Sequence, residues 1–172
     1  TTAAPTVSNV NYCQNDVSSA LTATGSNLLW YTTATGGTGS GTAPTPSTTT
    51  AGTTSYWVTQ TSGGCESPRT QIDVIVTATE TPTIGCGTTT LTSVEFTITN
   101  TLTGVTDYNV SYTVNGGTAT TANNVSFPYT VSSLTGGDVV VITVTPNGTE
   151  CYQDGTNSCT ANNCTSPTIT TH

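Results

Sequence analysis

The sequence predicts an all-β protein made of two tandem antiparallel β-sandwiches, and three observations carry that expectation. Short alternating runs recur along the whole chain of 172 residues, punctuated by Gly, Asn and Pro clusters such as TGGTGSG, SGGCESP, NGG and TGGD. Threonine fills 47 positions while Met and Lys are absent, a bias towards strands and polar turns over helices. The tripeptides Pro5-Thr6-Val7, Pro82-Thr83-Ile84 and Pro167-Thr168-Ile169 recur at intervals of 77 and 85 residues, as in a chain cut from a tandem array. The polar segment TATETPTIG therefore marks a joint: residues 1–79 form one sandwich, 80–164 a second, and 165–172 a linker or the start of a further repeat.

In the first domain the expected strands are ALTA, LLWYTT, SYWVTQ and QIDVIVTA. Trp30 lies in mid-strand and should fill the space between two sheets. Ile72, Val74 and Val76 have the period of two that marks one buried face. The G-x-x-x-Y spacing from Gly52 to Tyr56 suggests a tyrosine corner, with Tyr56 and Val58 turned inwards and Trp57 outwards. Tyr31 and Trp57 then face solvent on neighbouring strands, a possible ligand platform; covering a sheet face is the plainer role for them.

Cys13 precedes the LTATG run and Cys65 lies in the turn after SYWVTQ, so a Cys13–Cys65 bond is expected to tie one pole of the sandwich. It would enclose about 52 residues and contribute on the order of 4 kcal/mol by loop entropy.

With these residues in place, the string from Tyr12-Cys13-Gln14 through LTATG, LLWYTTATGG and AGTTSYWV to the GCESPR turn resembles the Ig-like repeat of large secreted and gliding-motility-type surface proteins of Bacteroidetes. The resemblance implies an all-β module in long, cysteine-stapled adhesins exported by type IX secretion, and implies no catalysis.

The second domain offers VEFTIT, YNVSYTV, FPYTV and VVVITVT as strands and has no tryptophan. Their order is similar to a fibronectin type III module, although Val140 stands where that family usually has a tyrosine. Cys86, Cys151, Cys159 and Cys164 allow three pairings. Cys86–Cys164 with Cys151–Cys159 ranks first; Cys86–Cys159 with Cys151–Cys164 stays open, and Cys159–Cys164 ranks last.

Nine acidic residues against Arg69 alone give a net charge of −8, which repels phosphate backbones and so excludes nucleic acid as a partner. Zinc lacks a C-x-x-C motif, and the one histidine is His172 at the end of the chain. A Ser-His mechanism is excluded for the same reason, and the carboxylates are scattered over turns and domain edges. Asp154-Gly155-Thr156-Asn157 has one carboxylate where a calcium loop needs three, and reads as a β-turn. Asn109, Asn124, Asn147 and Asn163 head N-x-[ST] sequons of little weight in a bacterial-looking chain. No apolar run is long enough to span a membrane.

The expectation is a non-enzymatic spacer without cofactors, secreted or at the cell surface, whose partners are neighbouring repeats of the same polypeptide. Surface polysaccharide or another protein is the alternative partner, and a filament subunit formed by strand exchange is the alternative assembly.

Overall fold

The computed structural model describes residues 2–163. The chain divides into two compact units, one ending at Thr79 and the second beginning at Glu80. There are twelve strands and no helix among the described residues. In the first unit these are β1 (Val10–Cys13), β2 (Leu28–Tyr31), β3 (Gly52–Ser62), β4 (Cys65–Glu66) and β5 (Thr70–Thr77). They form one sheet of order β1-β5-β3-β2, with β4 folded back on β3. Gly63 and Gly64 make that hairpin, both at positive φ, a conformation glycine adopts without strain.

Alternation along β3 and β5 puts Tyr56, Val58, Ile72, Val74 and Val76 against Trp30 and Leu21, the core of this unit. The layer facing the sheet differs from expectation: the ALTA run forms no strand, and the adjoining Thr24 makes a single bridge, to Thr6. The run's other neighbour is the proline-rich stretch 44–48, met by the bonds Leu21 N–H to Pro44 O and Asn15 N–H to Thr48 O. Pro44 and Pro46 have no N–H to donate, so a ladder cannot form there. Hydroxyls replace it, with Ser18 Oγ donating to Pro46 O and Thr48 Oγ1 to Asp16 O.

The second unit holds β6 (Ile84–Thr89), β7 (Ser93–Ile98), β8 (Asp107–Val114), β9 (Thr120–Val125), β10 (Tyr129–Ser132), β11 (Val139–Asn147) and β12 (Gly155–Thr160). A three-stranded sheet β10-β7-β6 faces a four-stranded sheet β12-β11-β8-β9, the strand order of a fibronectin-III-like sandwich. Asn115 and Gly116, both at positive φ, turn β8 into β9. Phe96, Ile142, Val94, Val140 and Val144 fill the core. In place of a tryptophan, Tyr108 meets Phe127 edge-on at 5.2 Å, and Tyr129 lies 6.3 Å from Phe127 and from Tyr112. Residues 155–160 form β12 and not the turn the sequence suggests at Asp154-Gly155, because Val139–Val144 supplies them with a full antiparallel partner. Asp154 accepts a hydrogen bond from Thr145 Oγ1.

The disulfides also differ from expectation. Cys65 is a free, exposed thiol, so the Cys13–Cys65 bond is not made. Cys13 ends β1 beside Thr77, level with the Gly52 end of β3, whereas Cys65 follows the Ser62 end. The eleven residues of β3 put about 30 Å between the two sulfurs' strands, against the 7 Å that a disulfide tolerates between Cα atoms. Cys13 is nevertheless disulfide-bonded, as is Cys151.

In the second unit Cys86 bonds Cys159, with Cα atoms 5.9 Å apart, so the first-ranked Cys86–Cys164 and Cys151–Cys159 bonds are not made and the Cys86–Cys159 bond of the pairing left open is. The reason is register. Asn157 Nδ2 donates to Ile84 O, and Asn162 bonds both the hydroxyl and the carbonyl of Thr89. Each contact spans 73 residues, the separation of Cys86 and Cys159 as well. Cys164, five positions further, lies outside the described residues.

Candidate functional site

The solvent face of the first unit's sheet gathers most of its distinctive side chains. Tyr31, Trp57 and Gln71 sit side by side on β2, β3 and β5, and Ser55 and Asp73 form the next pair along the same face. Trp30 and Val58, one position away on each strand, point into the core.

Tyr31 is not the exposed platform that alternation suggests, being only 7% exposed. The Arg69 guanidinium lies over its ring, 3.5 Å from the centroid, a cation–π contact made by the one Lys or Arg in the chain. Gly39 approaches from the 32–39 loop so closely that a Cβ there would come within 2.8 Å of the Tyr31 ring. The phenol donates to Glu66 Oε1 at 2.5 Å, and the same oxygen accepts from Thr59 Oγ1 at 2.7 Å. Those bonds, Tyr31's first, hold the Glu66 carboxyl below the usual carboxylate range, with the charge of Arg69 helping. Arg69 also donates from Nη1 to Thr33 O and from Nη2 to Gly36 O, so its fork pins the 32–39 loop to the sheet.

Trp57 keeps a half-buried position on this face. No ring or cation stacks on it among the described residues. Beside it Asp73 Oδ1 accepts from Ser55 Oγ at 2.6 Å and from Gln71 Nε2 at 2.7 Å. These two bonds, Ser55's first, lower the Asp73 pKa and keep it ionised. The backbone N–H of Asp73 is itself held by Asn9 Oδ1. The result is an indole flanked by a fixed carboxylate and a fixed amide.

Trp30 lies in the core, and Tyr56 packs against it from a partly buried position on β3. Nothing in the sequence signals Arg69, Glu66 or Asp73 as parts of one surface, because they join it only through pairing of β3 with β4 and β5. On the second unit, three sequon asparagines bond one another's side chains: Asn109 Nδ2 donates to Asn147 Oδ1, and Asn147 Nδ2 to Asn109, Asn124 and Asp107. They form a cross-strand polar ladder. No group of three or more His, Cys, Asp or Glu able to hold a metal occurs among the described residues, and no helix long and apolar enough to cross a membrane occurs among them.

Residues 3–77 match the family model described as "Ig-like domain CHU_C associated". No curated protein sequence matches the chain. Among solved structures, the chain is similar to the chicken CNTN1 FN1-FN3 domains at 12% identity and a TM-score of 0.38, covering 94% of this chain and 66% of that one. A two-domain fibronectin type III segment of chicken tenascin is 15% identical with a TM-score of 0.42, over 78% and 82% of the two chains. Clostridium thermocellum CbhA fibronectin(III)-like modules are 13% identical with a TM-score of 0.37, over 91% and 90%. Nearly the whole of the first unit thus matches an Ig-like family model, and the second unit has the strand order of a fibronectin-III-like sandwich.

Proposed function

We propose that the chain is a pair of spacer repeats from the stalk of a large bacterial cell-surface or secreted adhesin, exported by type IX secretion. The observation that carries this reading is that both units open in the same way. Pro5 and Pro82 are buried, Thr6 and Thr83 are exposed, and Val7 and Ile84 belong to the cores. In each, the backbone of the threonine bonds that of a threonine further along its own unit, Thr6 with Thr24 and Thr83 with Thr99. A module that starts on a standard three-residue plug can be strung end to end, and the third Pro-Thr-Ile continues the period in the sequence. Disulfides suit an oxidising, extracellular setting, and domains of these two kinds are typically non-catalytic structural modules.

Immunolabelling of intact cells of the source bacterium with antibody to the chain tests the proposal. Labelling should be lost on protease shaving and in a strain lacking type IX export. Labelling that needs permeabilised cells would refute the surface location, and labelling that survives loss of type IX export would refute the route.

A further inference from the structure

The outer face of the first unit contains more than a spacer requires. Arg69 and Gly39 cover Tyr31, yet Trp57 next to it has no such cover, and a half-buried indole on a sheet face costs solvation unless something apolar meets it. The polar groups around it are prepared for a ligand. Asp73 and Ser55 lie one pleat repeat from Trp57, about 7 Å along the sheet, and Gln71 lies directly opposite. Both fixing bonds fall on Asp73 Oδ1, so the second carboxylate oxygen remains to accept a ligand hydroxyl.

We propose that Trp57, with Asp73, Gln71 and Ser55 of the same face, forms a binding subsite for a sugar ring of a neutral, hydroxyl-rich polysaccharide. Such a ring has an apolar C–H face to lay on the indole and vicinal hydroxyls on its rim. A side-chain amide directly across from the indole and a carboxylate about 7 Å along the sheet match that rim in chemistry and reach. Charge selects the class. With a net charge of −8 and Asp73 ionised within the subsite, uronate-rich or sulfated chains are repelled, so the ligand is an uncharged polymer. The site is shallow and lies on one short sheet, so it reads one or two sugar units weakly; strength would come from repetition along a longer protein. This inference stands apart from the spacer reading, since a stalk repeat need not bind sugar and a sugar-binding repeat need not be a stalk.

Affinity electrophoresis of the whole chain tests it, in native gels containing soluble neutral β-glucan, xylan or galactomannan, with polygalacturonate as the charged control. Retardation is expected in at least one neutral gel and not in polygalacturonate. Trp57→Ala should weaken it at least about tenfold, as loss of one aromatic stacking surface does. Asp73→Asn and Gln71→Ala, which leave the ring in place, should each weaken it by a smaller factor. Circular dichroism melting of each variant shows whether the sheet is intact. Where Trp57→Ala lowers the melting temperature, Trp57→Phe and Asp73→Asn decide the matter. Unchanged mobility in every neutral gel would overturn the proposal, as would retardation that survives Trp57→Ala or that is stronger in polygalacturonate.

Discussion

The two units solve the same problem, enclosing a core with about 80 residues, by different means. The second does it with hydrophobic bulk: eleven buried residues between two regular sheets, stapled by Cys86–Cys159 between β6 and β12. The first has six buried residues and one regular sheet, and its opposite layer is held by side-chain hydroxyls instead of a ladder. It compensates with one large ring inside, Trp30, and one polar clasp outside, Tyr31 with Arg69 and Glu66. Small sandwiches thus need not share a source of stability even when they are consecutive in the chain and open on the same Pro-Thr-apolar pattern.

Substitutions at these anchors separate the two designs. Trp30→Ala removes the largest side chain of a six-residue core and should cost up to about 5 kcal/mol, enough to unfold the first unit. Calorimetry should then show the second unit's transition alone; two transitions at unchanged temperatures would contradict the idea that Trp30 organises the first core. Next in size is the double change Cys86→Ala with Cys159→Ala, which opens a loop of 73 residues and should cost about 4 kcal/mol. Only the second unit's melting temperature should fall. Arg69→Ala should lower the first unit's stability by about 1–2 kcal/mol through loss of the cation–π contact and two carbonyl bonds. Arg69→Lys should recover little of it, because an ammonium cannot reproduce the fork. Urea midpoints of the three proteins measure this.

The smallest effect is that of acid. Glu66 and Asp73 in the first unit and Asp138 in the second are held below their ordinary values; for Asp138 the causes are the backbone N–H of Thr135 and then Asn115. A carboxyl whose folded pKa is depressed contributes stability that is present above its unfolded pKa and lost as pH falls through the folded one. Melting temperatures should therefore hold from neutral pH to about 5 and decline below about 4. The decline should be steeper for the first unit, which carries two such groups. Tyr31→Phe should flatten that slope by removing the main bond to Glu66; an unchanged slope would assign the acid sensitivity elsewhere.

Much of the fold was legible in the sequence. The period of two in Ile72-x-Val74-x-Val76 and the Gly63-Gly64 and Asn115-Gly116 turns are local signals, and local sterics act on them directly. The strands β9 and β12 were not legible, because TTANNV and GTNSCT are polar and gain strand geometry only from their partners β8 and β11. ALTA misled in the other direction: it has strand composition, but its neighbour holds two prolines. The site followed the same division. The outward position of Trp57 follows from alternation, whereas the cover on Tyr31 depends on Arg69, 38 positions away.

By itself the sequence determined the all-β class, the inward and outward faces of the long strands, and the repeated Pro-Thr-apolar opening, because each depends on neighbours within a few residues. The tertiary structure alone decided which cysteines meet, which aromatic ring is covered by a guanidinium, and where a carboxylate is fixed on the same face. Those outcomes depend on strand register, here a constant offset of 73 residues between β6 and β12, and composition or spacing along one strand does not specify register between two.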